Sequence, residues 1–186
     1  MKKLFLVDAY ALIFRFYYAF IGRPMRNAAG VNTSAVFGFV KFLKDLILRE
    51  RPHYRGVAFE TPGGNFRHEL YADYKANRSE TPEDIVASVP YIKQVLEAMR
   101  IPVLEIPGYE ADDVIGTLSQ KAAAAGYEVF MVTPDKDYGQ LIRPAVRIYK
   151  QRKGGADGIE VIGCGRLREQ YGLDAPCRVC RARPPG

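Results

Sequence analysis

At 186 residues, with 48% hydrophobic and 26% charged residues, the chain has ordinary globular composition and enough length to bury a core, which excludes a chain disordered throughout or a disulfide-stapled miniprotein. Its only cysteines, Cys164, Cys177 and Cys180, are too few for a disulfide framework and fit a reducing, cytoplasmic compartment. Lys and Arg number 27 against 21 Asp and Glu, and the net charge of +6 points to an anionic partner, nucleic acid first.

The apolar run Leu4 to Val7 ends in Asp8, too soon for a signal peptide, and reads as a buried strand. No uncharged apolar stretch is long enough to span a membrane, so no membrane partner is expected. Tyr10 to Phe20 reads as an aromatic-rich helix, followed by a loop with Gly30 as its turn residue. Thr33 is placed to cap a helix running to about Glu50, with Val36, Phe37, Val40, Leu43 and Ile47 as its apolar stripe. Tyr54 to Phe59 is a second strand, ending in Glu60. Phe66 to Arg78 has a polar helical pattern. Thr81-Pro82-Glu83-Asp84 opens another helix, with Pro at its first position and an acid in capping-box range, running to about Met99.

Ile101 to Ile106 is a third strand, Glu110 to Ala125 a helix stopped by Gly126, and Tyr127 to Thr133 a fourth strand. Val146 to Tyr149 and Ile159 to Ile162 read as shorter strands. Alternating strands and helices imply an α/β fold, a mostly parallel sheet with helices on both faces.

The acids fall in a pattern. Asp8 and Glu60 end strands one and two; Glu110, Asp112 and Asp113 follow strand three; Asp135 and Asp137 follow strand four. Sites in open α/β sheets form beyond the carboxyl ends of the strands, so seven carboxylates are directed to one edge. A single acid after a strand is an ordinary turn former or helix cap. Acids after all four main strands instead form a cluster whose repulsion calls for protons or cations. Mg²⁺, a hard ion with a preference for oxygen, suits it. Glu110 and Asp113, three residues apart, share a helix face, while Asp112 points about 100° away, toward a neighbouring ion or a bridging water. Such ions would support phosphoester hydrolysis. Neither His53 nor His68 sits in a triad pattern.

Arg67, Tyr71, Tyr74, Lys75 and Arg78 recur at spacings of three and four and make one basic-aromatic helix face. Such a face can be merely solvated. Its position after the strand-two acid favours nucleic-acid contact, with cations for phosphates and rings for unpaired bases.

These residues resemble a known family. Leu6-Val7-Asp8-Ala9-Tyr10 with Phe14-Arg15 is similar to the opening of the 5′–3′ exonuclease domain of bacterial DNA polymerase I. Phe66-Arg67-His68-Glu69-Leu70 and Tyr74-Lys75-Ala76-Asn77-Arg78 resemble its arch segment. Gly108-Tyr109-Glu110-Ala111-Asp112-Asp113-Val114-Ile115-Gly116-Thr117-Leu118 and Thr133-Pro134-Asp135-Lys136-Asp137-Tyr138-Gly139-Gln140-Leu141 are the most specific stretches.

The resemblance runs from about residue 2 to 172. It implies a PIN-like fold with a helical arch, related to flap endonucleases, acting on 5′ ends, 5′ flaps and RNA primer–DNA hybrids in replication and repair. By resemblance, Asp8, Glu110, Asp112, Asp113, Asp135 and Asp137 are metal-site acids for Mg²⁺ or Mn²⁺, two ions in a complete member. Arg15, Lys75 and Arg78 contact or orient the scissile phosphate, and Tyr74 is an aromatic near the substrate.

Two features depart from the family. Glu60 replaces its usual Asp, keeping the charge but adding about 1.5 Å of reach. Residues 173 to 186 do not resemble the Asp-x-x-Asp pair and helix-hairpin-helix that follow in the family; the expectation is a frameshifted or truncated frame with a disordered tail. Cys177 and Cys180 form a CxxC without a second pair, so no zinc site is expected there. A domain of residues 1–172 that is a 5′ nuclease is thus the leading reading. A catalytically impaired nucleic-acid-binding remnant and a stand-alone PIN-type ribonuclease are the alternatives. A dinucleotide-binding domain is disfavoured because Asp8-Ala9-Tyr10-Ala11 stands where a glycine-rich turn would be needed.

Overall fold

The computed structural model describes residues 1–61, 80–152 and 158–171. Six strands form one sheet: β1 (Lys3–Asp8), β2 (Tyr54–Ala58), β3 (Val103–Leu104), β4 (Glu128–Val132), β5 (Val146–Gln151) and β6 (Ile159–Ile162), in the order β3-β2-β1-β4-β5-β6. All neighbours pair parallel except β5 and β6, which are antiparallel. The helices are α1 (Ala9–Ala19), α2 (Ser34–Glu50), α3 (Glu83–Ala98), α4 (Ala111–Ala124) and α5 (Cys164–Tyr171), with a 3₁₀ turn at Lys136–Leu141. Among the described residues no helix is long and apolar enough to cross a membrane. The proposed arch, including Arg67, Tyr71, Tyr74, Lys75 and Arg78, and the CxxC of the tail lie outside the described residues.

Side chains alternate across a strand, and this divides the core in two. Phe5 and Val7 of β1, Val57 of β2, and Phe130 and Val132 of β4 pack on one face with α1, α2 and α3 through Ile13, Phe39, Leu43, Ile92 and Leu96. Leu6, Ala58, Val129 and Met131 pack on the other, with Ala111 and Ile115 of α4 and Tyr138 of the 3₁₀ turn. Phe5 stacks on Phe130, with ring centroids 4.6 Å apart, where the register sets the two residues opposite each other. The expected covering of both faces is therefore present.

Several local expectations need correction. The α2 stripe is misphased: Phe37 is exposed, and the buried face is Ala35, Gly38, Phe39, Phe42, Leu43 and Leu46. Thr33 occupies the cap position, but its hydroxyl donates to the Met25 carbonyl. Ser34 N–H instead donates to the buried Asn32 side chain at 3.1 Å. Pro82 precedes α3 in extended conformation (ψ 137°) as its cap residue, where its fixed φ serves the entry to the helix. Strand β3 is only two residues long; Pro102 has no N–H to give, and the Ile106 carbonyl accepts the Tyr109 N–H in a turn instead of joining the ladder. The 3₁₀ turn and α5 were not expected from the sequence.

Helices α1 and α2 approach closely at Gly38, where an added Cβ would lie 2.6 Å from Phe16 Cγ. Gly38→Ala should therefore destabilise the fold by about 1–3 kcal/mol through overpacking, although Ala is the better helix former by about 1 kcal/mol. Urea unfolding of the two proteins measures the sign.

Candidate metal centre

Strand β1 lies between β2, reached first by the chain, and β4, reached later on the opposite side. This reversal of strand order opens a crevice at the carboxyl ends. Asp8 is the last residue of β1 and pairs in register with Ala58; Val7 pairs with Val132. Glu60 therefore lies just beyond β2, and Thr133 just beyond β4, at the level of Asp8.

The crevice is a cleft of about 160 Å³ lined by Asp8, Glu60, Glu110, Asp112, Asp135 and Asp137, together with Ala111, Tyr138, Gln140 and Leu141. Six of the seven acids singled out in the sequence thus meet here. Asp8 and Glu110 are buried, Glu60 is half-buried, and Asp112, Asp135 and Asp137 are exposed. Asp113 does not line the cleft. Its carboxylate accepts the Glu110 backbone N–H at 3.1 Å while the Glu110 carboxylate accepts the Asp113 N–H, a capping box that pairs the two residues, and Asp112 is the one that joins Glu110 in lining the cleft. Among the described residues no three of these acids form a tight ligand cluster.

Asp8 is the best-defined member. Its Oδ1 accepts the Ala11 N–H at 3.1 Å and so caps α1. Its Oδ2 accepts the hydroxyls of Tyr138 at 3.0 Å and Thr133 at 3.3 Å. Burial, reinforced by the charge of Glu60, pushes its carboxyl up to about 6 despite these donors. Burial and the Asp8 charge push the Tyr138 hydroxyl far above its usual range, so it remains a donor. Thr133 also accepts the Asp135 N–H at 3.2 Å, and Asp135 accepts the Asp137 N–H at 2.9 Å. Thr133 thereby ties Asp8 to the loop carrying the other two acids. Tyr10, edge-on to Phe59 at 6.0 Å, is raised by burial and then by Glu60 and Glu105. Glu105 is taken up by Lys93 at 2.6 Å.

Arg15, expected at the phosphate, is half-buried on α1, two turns from Asp8, and is not among the residues lining the cleft; burial lowers its pKa from the usual value. His53 accepts the Lys3 N–H at 3.3 Å, at the start of β1 and so at the opposite end of the sheet. Thr133, Tyr138 and Gln140 had no functional reading in the sequence. A Thr two residues before Asp135 is a turn-forming signal, but nothing in Tyr138's sequence position distinguishes a phenol aimed at Asp8 from a core aromatic.

The donor set is all oxygen, which fits a hard divalent cation. Without one, Asp8 is a cost. Its folded value lies above the ordinary 3.8, so the folded protein holds a proton that the unfolded chain has already lost. Stability therefore falls as pH rises from about 4 to about 6, and the loss, about 3 kcal/mol, persists above that. Asp8→Asn should stabilise the metal-free protein by about 1–3 kcal/mol at pH 7.5, and the gain should vanish near pH 4. Urea unfolding in chelator across this range tests it; added Mg²⁺ should raise the wild-type midpoint more than that of the variant.

Residues 3–172 match the family described as 5′-3′ exonuclease, N-terminal resolvase-like domain. The chain is 39% identical over 173 residues to DNA polymerase I of Bacillus caldotenax, covering 92% of this chain and 19% of that one. It is 39% identical over 174 residues to a 5′-3′ exonuclease of Aquifex aeolicus, covering 94% of this chain and 58% of that one. It therefore spans less than two-thirds of either relative. The fold is shared with the T5 D15 protein co-crystallised with metal ions (TM-score 0.68, 21% identity, 96% of this chain and 63% of that one). It is also shared with the catalytic core of Rad2 in complex with a DNA substrate (TM-score 0.54, 19% identity, 93% and 50%). With a match over nearly its whole length and relatives at this level of identity, the chain belongs to the 5′-3′ exonuclease N-terminal, resolvase-like domain family.

Proposed function

We propose that this chain is the catalytic-fold portion of a divalent-metal-dependent 5′–3′ exonuclease or 5′-flap endonuclease, hydrolysing phosphodiester bonds in DNA and in RNA primers paired to DNA. The observation that carries this reading is the convergence of six carboxylates, from segments following four different strands, in one cleft. Metal dependence and DNA as substrate are supported further by the metal-bound T5 D15 protein and the DNA complex of Rad2, which share the fold.

In this reading Asp8, Glu60, Glu110, Asp112, Asp135 and Asp137 would hold the ions; Asp113 acts one step back by holding the backbone of Glu110. Bound Mg²⁺ or Mn²⁺, two ions in a complete site, would hold the phosphodiester, lower the pKa of the attacking water and stabilise the leaving oxygen. The protein's part is to hold the carboxylates in place and oriented. Glu60, half-buried at the cleft wall, supplies the same charge as the usual Asp on a side chain one methylene longer. Lys75 and Arg78 are proposed to orient the scissile phosphate, with Tyr74, Tyr71 and Arg67 along the entering strand.

A 5′-flap DNA labelled at its 5′ end, incubated with the chain and Mg²⁺, should be cut near the junction, and Asp8→Ala should lower the rate on the order of a hundredfold or more, about 3 kcal/mol of transition-state stabilisation. Lys75→Ala or Arg78→Ala should reduce cleavage more than binding; equal losses would remove their transition-state role. Binding without cleavage would identify a nucleic-acid-binding remnant. Cutting of single-stranded RNA with no need for a flap would identify a ribonuclease instead.

A further inference from the structure

The cleft contains one buried group that its acids do not explain. Tyr138 is 3% exposed, and its ring belongs to the core on the α4 side of the sheet. A ring serving only that core would do as well without a hydroxyl. Here the hydroxyl points out of the core and donates to Asp8 Oδ2 at 3.0 Å. Thr133, 1% exposed, donates to the same oxygen at 3.3 Å.

A carboxylate presents about four acceptor sites, two on each oxygen. The two hydroxyls fill both sites on Oδ2. Among the described residues, Oδ1 receives only the Ala11 N–H, at 3.1 Å, and keeps one site. All three donors belong to rigid parts of the fold: the first turn of α1, the end of β4 and the 3₁₀ turn. The Asp8 carboxylate is therefore fixed in its plane as well as in its position.

We propose that Tyr138, acting with Thr133, is a positioning residue for a divalent cation at Asp8: the two hydroxyls occupy Oδ2 and present Oδ1 as the single oxygen open to the ion. This rests on the metal-dependent reading of the cleft. Tyr138 follows Asp135 by three residues in the turn that Asp135 caps, and Thr133 also accepts the Asp135 N–H at 3.2 Å. The same two residues thus set the position of Asp8 relative to Asp135, across the cleft. Donors behind a ligating carboxylate commonly change metal affinity by 10–100-fold when removed.

The test is calorimetric titration of the full chain with Mn²⁺, without substrate, for the wild type, Tyr138→Phe, Thr133→Val and Thr133→Ser. Circular dichroism in chelator identifies which variants are folded. Tyr138→Phe keeps the ring and loses only the donor; it should weaken ion binding about tenfold. Thr133→Val should weaken it comparably, and Thr133→Ser, which keeps the hydroxyl, should restore it to within about twofold. A folded Tyr138→Phe protein binding Mn²⁺ as tightly as the wild type would overturn the positioning role while leaving the metal site standing. If Tyr138→Phe does not fold, the Val and Ser pair decides: equal binding by both overturns the proposal. A wild-type chain that binds no Mn²⁺ would overturn the metal-dependent reading itself, and this inference with it.

Discussion

The organising constraint of this protein is a carboxylate held in the dry end of a parallel sheet. Asp8 closes the central strand, flanked by β2 and β4, and is 8% exposed. An ionised group there loses its hydration, and Glu60 adds repulsion. The surrounding structure supplies what water would have supplied. The α1 amide, the Thr133 hydroxyl and the Tyr138 hydroxyl all donate to it. They do not offset burial fully, since the carboxyl is still pushed up to about 6. A residue that weakens the fold at neutral pH and is nevertheless surrounded by donors is placed for something other than stability.

The acids were legible because a parallel sheet converts sequence order into spatial convergence. Each strand of β1, β2 and β4 ends in, or just before, an acidic residue, and parallel pairing sends all of those ends to one edge. What was not legible depended on angles of less than one turn. The stripe drawn on α2 included Phe37 and omitted Phe39, because both phases are apolar and only packing against α1 through Gly38 chooses between them. Glu110 and Asp113 share a helix face on ideal geometry. The chain enters α4 with Glu110 extended (ψ 161°), outside the helix, and this frees Asp113 to reach back to its N–H. Tyr138 was hidden for a similar reason, since its aim is set by a 3₁₀ turn that has no strong sequence signature.

Net charge is a coarser guide than it first seems. Residues 1 to 55 carry +7, residues 56 to 142 carry −7, and residues 143 to 186 carry +6. The excess of positive charge therefore lies outside the segment that supplies five of the six cleft acids. A basic total and an acidic site coexist because they belong to different stretches of chain. The acidic cleft therefore points to a cation more directly than the total charge points to an anionic partner, since among the described residues no Lys or Arg lines it.

A cluster of six carboxylates ought to prevent the strand ends from closing, and the fold avoids this through the way its helices begin. Asp8 caps α1, Glu110 stands at the cap position of α4, and Asp135 caps the 3₁₀ turn. Three helix starts, whose first backbone N–H groups have no partner within their own helix, thus converge on the same edge, each carrying a partial positive charge. They hold the acids in place without neutralising them, because partial charges of this size offset only part of a full negative charge. The helix starts therefore set where the acids sit, and the repulsion left between them is what a divalent cation would relieve. Stronger caps would offset more of that repulsion and leave less of it for a cation to remove.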